Sequence, residues 1–350
     1  MKKRLFMLSI LGISISALLA GCNPGGGPGS NLSLGMDAIE AQEYSEALTC
    51  LNRALAEGED KRLTYRGLGI AHMGLGEYDR AVDDFMNSLK GSNGLVGKLD
   101  YDINYYMALS QFKSGDLDAA LDTYNAILGL DDKQADAHYL RGRIELLKND
   151  KTAALADFDR AVELKSSDYD LYISIYEALD DAGDKQDGEN YINMALQKNG
   201  RMTDYQSGLF SYYLGKYDEA RQSLEAARKD DESDKLVLYL GRSYEALGDI
   251  NYAATLYREY LEKDPDSACI YNEEGLMYLK QEEYMKALTA FENGMALNDP
   301  SYNQSLMFNE AVTYEYLLDF KKAAVLMKEY IEKYPDDEEA QREYIFLSTR

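Results

Sequence analysis

Two histidines, three cysteines and a surplus of carboxylates are what this 350-residue chain offers for bond-making chemistry. His72 and His138 could serve as bases or metal ligands, yet no Cys/His cluster has metal-ligand spacing. His72 also follows Tyr65, Leu68 and Gly69 at i+7, i+4 and i+3, which places it on the packed face of a helix. The carboxylate run from Asp180 to Glu189 invites a calcium-loop reading, but it lacks the alternating ligands and central glycine of an EF-hand. No phosphate-cradling loop is present, since Gly67 and Gly69 lie within a helical pattern. The acidic stretches 230–234 and 336–339 read as solvated loops and helix starts. The sequence therefore predicts no catalytic residue, no metal and no cofactor, and a chain that is not an enzyme. Cys50 and Cys269 lie far apart in the chain, and a disulfide needs Cα atoms within about 7 Å, so both should be free thiols.

Cys22 is different. Lys2, Lys3 and Arg4 precede an apolar run from Leu5 to Ala20, followed by Leu19-Ala20-Gly21-Cys22. A basic start, a short apolar segment and small residues before a cut site mark an export signal over residues 1–21. The cysteine directly after Leu-Ala-Gly resembles the bacterial lipoprotein lipobox, which implies cleavage before Cys22 and acylation of it. Residues 22–30 continue as Asn23-Pro24-Gly25-Gly26-Gly27-Pro28-Gly29-Ser30, a flexible tether that reaches at most roughly 30 Å. The resemblance also implies a location. The chain would be extracytoplasmic and lipid-anchored, on the outer face of a Gram-positive plasma membrane or, with Asn23 after the cysteine, at a Gram-negative outer membrane.

Losing the three basic residues of the leader takes the formal charge from −25 to −28. So acidic a surface disfavours nucleic-acid backbones and anionic headgroups, leaving the lipid as the membrane link.

What positions the remaining residues is a repeated phrase: a turn residue, a spacer, an aromatic or aliphatic residue, two spacers and alanine. It is spelled Gly76-Glu77-Tyr78-Asp79-Arg80-Ala81 and Gly215-Lys216-Tyr217-Asp218-Glu219-Ala220. The alanines fall at Ala47, Ala81, Ala120, Ala154, Ala220, Ala253, Ala287 and Ala323, with Gly188 where a ninth is due. A period near 34 with helix-turn-helix chemistry predicts stacked helical pairs, each needing its neighbour to bury its apolar stripe.

The second repeat carries Tyr65, Leu68, Gly69, His72, Tyr78, Ala81 and Phe85; the seventh carries Leu240, Gly241, Tyr244, Gly248, Ala253, Tyr257 and Pro265. The eighth gives Tyr271, Gly275, Tyr278, Tyr284, Ala287 and Phe291, and the fourth gives His138, Gly142, Ala154, Phe158 and Ala161. In this pattern the chain resembles the tetratricopeptide repeat family. The resemblance implies an all-α, right-handed superhelical solenoid of about nine repeats over residues 31–335, closed by a capping helix over 336–350. It makes both histidines packing residues. The fifth repeat departs, with Tyr176 for the usual glycine and Gly188 for alanine, so its register is expected to be irregular. The insertion Gly91-Ser92-Asn93-Gly94-Leu95 and the short sixth repeat after Asn199-Gly200 are further expected irregularities.

By the same resemblance the first helix of each repeat lines a groove. Its candidates are Tyr105, Leu109 and Phe112; Tyr139 and Arg143; Tyr205, Leu209 and Tyr212; Leu238 and Arg242; and Phe308. Thirty tyrosines and no tryptophan exceed what core positions require, and tyrosine suits recognition surfaces. The carboxylate clamp of chaperone-binding relatives is absent, because Arg66, Ile70 and Tyr106 do not reproduce it. The expectation is a scaffold or adaptor for a protein or peptide partner in cell-envelope or secretion assembly, with glycan or small-solute binding as the alternative.

Overall fold

The structure is a computed structural model that describes residues 29–350 apart from 93–95, 199, 231 and 336. The leader, Cys22 and most of the tether lie outside the described residues, as do the last three residues of the Gly91–Leu95 insertion. The described residues form 19 helices and no strand. The first four pairs are α1 (Asn31–Glu40) with α2 (Tyr44–Glu57), α3 (Lys61–Gly74) with α4 (Tyr78–Lys90), α5 (Lys98–Lys113) with α6 (Leu117–Leu130), and α7 (Ala135–Leu147) with α8 (Lys151–Leu164). Five more follow: α9 (Tyr169–Asp181) and α10 (Lys185–Leu196), α11 (Asp204–Tyr213) and α12 (Tyr217–Ala227), α13 (Asp234–Ala246) and α14 (Ile250–Lys263), α15 (Ala268–Lys280) and α16 (Tyr284–Ala296), and α17 (Asn303–Tyr316) and α18 (Phe320–Lys333). A last helix, α19 (Glu338–Leu347), starts on Asp337, whose carboxylate accepts from the Ala340 amide, and packs on α18.

The chain divides into two compact units, one ending at Leu171 and one beginning at Tyr172. Within the first, consecutive helices pack in order from α1 to α8, and first helices also touch one another, α1 on α3 and α3 on α5. Within the second, the same order runs from α10 to α19, with α11 on α13, α13 on α15 and α15 on α17. Each unit thus has a face built from first helices alone.

Every first helix ends the same way. A left-handed residue stands at Gln42, Gly76, Gly115, Asn149, Gly183, Gly215, Gly248, Glu282 and Leu318. The following amide donates five residues back, as in Glu77 to the His72 carbonyl and Asp184 to the Leu179 carbonyl. This is the 6→1 bond of a Schellman stop, which satisfies a carbonyl that the helix leaves open. Each left-handed residue lies five positions before the alanine of the phrase, and Gly183 keeps that offset from Gly188.

Pairs close by small-into-large packing. A Cβ on Gly69 would lie 2.5 Å from the Phe85 ring, and one on Gly241 only 2.3 Å from the Tyr257 ring. Ala81 and Phe85, like Ala253 and Tyr257, are fully buried beside them. The fifth pair differs from the irregular register expected of it. Its turn is in place, and the small residue has moved to the second helix, where a Cβ on Gly188 would lie 3.2 Å from the Tyr176 carbonyl oxygen.

Ion pairs link successive pairs of helices: Arg62 to Asp100, Arg66 to Asp102 and Lys148 to Asp118 in the first unit, and Arg242 to Glu273 and Lys280 to Glu245 in the second.

Candidate functional site

The groove candidates of the first unit sit on α5 and α7. Tyr105, Phe112, Tyr139 and Arg143 are all half-buried, and Leu109 is buried. Tyr105 packs edge-on against Tyr124, and Tyr139 tilts over Phe158 at 6.0 Å, so each ring has one side in the core. The Arg143 guanidinium carbon lies 5.7 Å from the Phe112 ring centre and 5.9 Å from that of Tyr139, within cation–π range. Lys113 ends α5 beside it; partial desolvation, and then the Arg143 charge, lower its pKa.

In the second unit the face is wetter in composition yet more enclosed. Tyr205 and Tyr212 are half-buried. Tyr212 sits edge-on to Tyr213, Tyr217 and Tyr239, and Tyr213 stacks on Tyr176 at 4.3 Å. The Tyr213 hydroxyl donates to Glu177, the Tyr239 hydroxyl reaches the same oxygen at 3.2 Å, and the two hydroxyls are 2.7 Å apart. Burial, and then the neighbouring charge of Glu177, raise Tyr239 well above the ordinary tyrosine range. Arg242 donates to Glu273 at 2.8 Å, its side chain 13% exposed and that of Glu273 fully buried. Burial works against the Arg242 charge, but Glu273 holds it on.

Four candidates depart from the groove expectation. Phe308 is buried and packs edge-on against Tyr330, 5.5 Å away, in the core of the last repeats. Leu109, Leu209 and Leu238 are buried as well. The Phe308 ring is thus claimed by the second helix of its own pair. Arg242 stays on the face, but its charge is committed to Glu273.

The sequence reading missed Lys113, Glu177, Tyr213, Tyr239 and Glu273, which border the candidate residues. Tyr213 follows Tyr212 directly, and doubled aromatics at the end of a first helix were the available signal. Glu273 gave none, because its partner is 31 residues away.

Both histidines are tied to a carboxylate on the second helix of their own pair. His138 Nδ1 lies 2.8 Å from Asp157, which Arg141 also holds at 2.7 Å, and its Nε2 is 3.1 Å from the Asp132 carbonyl. His72 Nδ1 lies 2.7 Å from Asp84. Cys50 and Cys269 are free, and burial pushes the Cys269 thiol up to about 12, too high for a thiolate near neutrality. Among the described residues no cluster of His, Cys, Asp or Glu could hold a metal, and no helix is long and apolar enough to cross a membrane.

A tetratricopeptide repeat model matches residues 32–94, 105–169 and 205–268, and a second matches residues 305–337. The chain belongs to the tetratricopeptide repeat family. No curated protein matches it. Among solved structures, a tetratricopeptide repeat protein from Parabacteroides merdae is 16% identical, with a TM-score of 0.50 over 81% of this chain and 97% of that one. Yeast Tom70, also 16% identical, gives 0.53 over 91% of this chain and 88% of its own. At such identities these likenesses speak for the fold. Tetratricopeptide repeats generally serve as scaffolds for protein–protein interaction, and the first-helix faces described above are the surfaces such a fold offers.

Proposed function

We propose that this tetratricopeptide repeat chain is a lipid-anchored, extracytoplasmic adaptor that holds an extended peptide or a partner helix on its first-helix faces. The observation that carries the reading is the half-burial of Tyr105, Phe112, Tyr139 and Arg143 on adjoining first helices. Rings fixed on one side by the core lose little entropy when a ligand covers the other. The anchor rests on Leu19-Ala20-Gly21-Cys22 and the Gly/Pro tether. Cell-envelope or secretion assembly is the setting that location would give.

Capture from detergent-solubilised membranes tests the adaptor. The chain from Asn31 should retain a stoichiometric protein partner, and a Tyr105→Ala/Tyr139→Ala/Tyr205→Ala variant should lose it. Glycan binding without any protein partner would sink the adaptor reading. Incorporation of a palmitate analogue that survives Cys22→Ala would sink the anchor.

A further inference from the structure

Arginines on the first helices follow a rule with one exception. Arg62 is held by Asp100, Arg66 by Asp102, Arg141 by Asp157 and Arg242 by Glu273. Arg143 has no ion pair or hydrogen bond with any described residue, although the chain has 62 carboxylates to 37 Lys and Arg. Its surroundings are Phe112, Tyr139 and a second cation, Lys113. Lys113 is likewise without a carboxylate among the described residues. Its place in the last turn of α5 suits the negative end of that helix. That accounts for Lys113 but not for a guanidinium laid over the ring of Phe112, its neighbour in sequence, because like charges repel.

We propose that Arg143 and Lys113 form an anion subsite on the α5–α7 face that takes a side-chain carboxylate from an acidic stretch of the partner peptide. The inference rests on the peptide-binding reading above and names the chemistry of its ligand. The planar guanidinium presents paired N–H donors that match a carboxylate, and Lys113 adds a point charge. Phe112, Tyr139 and Tyr105 would flank the apolar neighbours of that carboxylate. A phosphate dianion fits less well, because no helix N-terminus contributes amides here and the α5 C-terminus opposes a doubly charged guest. The acidic remainder of the surface does not forbid the contact. Beyond about 8 Å its field is screened at physiological salt, so it slows the approach more than it weakens the bound pair.

The test uses the full chain in mild detergent and two labelled, end-blocked hexapeptides: Glu-Leu-Glu-Tyr-Glu-Leu and the same peptide with Gln for Glu. By fluorescence anisotropy at physiological salt, the Glu peptide should bind at least about tenfold tighter than the Gln peptide, the scale of one charged contact. Arg143→Gln and Lys113→Gln should each bring the ratio of Glu-peptide to Gln-peptide affinity down to about one, and Arg143→Lys should restore part of the preference. Bound Glu peptide should also shield Lys113 from acetylation. Arg143→Gln breaks no ion pair and should unfold with the parent; if it does not, Lys113→Gln carries the comparison.

Equal affinity for the two peptides, or an undiminished Glu preference in both variants, overturns the proposal. Displacement of the Glu peptide by inorganic phosphate at concentrations where free glutamate does nothing overturns it in favour of a phosphate site. If Gln-peptide binding depends on Tyr105 and Tyr139 but no Glu preference exists, the adaptor stands and the subsite falls. If neither peptide binds and the triple tyrosine variant still captures a partner, both fall.

Discussion

Glu273 has no exposed surface, and among the described residues the only cation it pairs with is Arg242. Taking away the carboxylate alone would strand a guanidinium in the core at a cost of about 3–5 kcal/mol. Replacing both charges by apolar residues of similar size removes the desolvation penalty together with the attraction, so it should cost far less. Urea unfolding should therefore show Glu273→Leu strongly destabilised and Arg242→Met/Glu273→Leu within about 1 kcal/mol of the parent. A double variant as weak as the single one would mean that the pair itself stabilises the fold. The single residues legible in advance were those whose role is set locally, such as His72 one helical turn from Gly69. Pairs such as Arg242 with Glu273 were not legible, because their distance is fixed by stacking between repeats. Phe308 was misjudged for the same reason, since only the neighbouring helices decide whether an aromatic on a first helix is covered.

At the scale of the helix pair, the fifth and ninth repeats make opposite predictions. Gly188 stands where eight other repeats have alanine, so Gly188→Ala looks like a correction toward the family pattern. Yet its Cβ would meet the Tyr176 carbonyl oxygen at 3.2 Å and Cα at 3.3 Å, backbone atoms that cannot swing aside. The substitution should destabilise by about 1–3 kcal/mol, the usual cost of overpacking, as measured by urea unfolding. A neutral or stabilising result would show that the pair can slide apart. Leu318 is the reverse case. It holds a left-handed φ of 63° while 73% exposed, at a position filled by glycine in five other repeats. A branched side chain there costs roughly 1–2 kcal/mol, while glycine gives back part through a freer unfolded chain. Leu318→Gly should raise the urea midpoint, and a fall would sink the strain argument. The existence of nine pairs, their turns and their small-into-large packing were all readable from the period. The moved glycine of the fifth pair was not, because a period records that a position has changed and not which partner compensates.

Across the whole molecule the dominant quantity is charge, and acid should act on it in two stages. Burial raises the carboxyls of Asp84, Glu274 and Glu310 above their ordinary range, with Glu292 and Glu329 adding to the effect at Glu310. A raised carboxyl takes up its proton more readily folded than unfolded, so stability rises as pH falls from neutrality toward the ordinary values of 3.8 and 4.5. Relief of self-repulsion at a formal charge of −25 acts in the same direction. The lowered groups oppose it later. Partial burial works against Asp100 and Glu232, but the Gly97 amide, the Ser92 hydroxyl and Arg62 hold the first down, and Lys263 and Arg228 the second. What they contribute is complete above 3.8 and 4.5 respectively and is lost as pH falls through their lowered values. Thermal unfolding followed from pH 8 to 3 should show a maximum near about pH 5–6 and a steep loss below about 4. A maximum at or above neutrality would contradict the buried carboxylates. The sign and size of the net charge were plain from composition, while the buried carboxyls emerge only once the pairs are stacked.

The ion pairs that join one helix pair to the next have a consequence for how such a chain can change its length. A duplicated seventh pair would set the first copy's Arg242 against the second copy's Tyr239, which occupies the place held by Glu273 in the eighth. The repeats share a grammar, but each junction is written for one neighbour, so they are not spare parts. Copies cannot be inserted, removed or exchanged at such a junction without stranding a charge, and the order of the array is fixed from within.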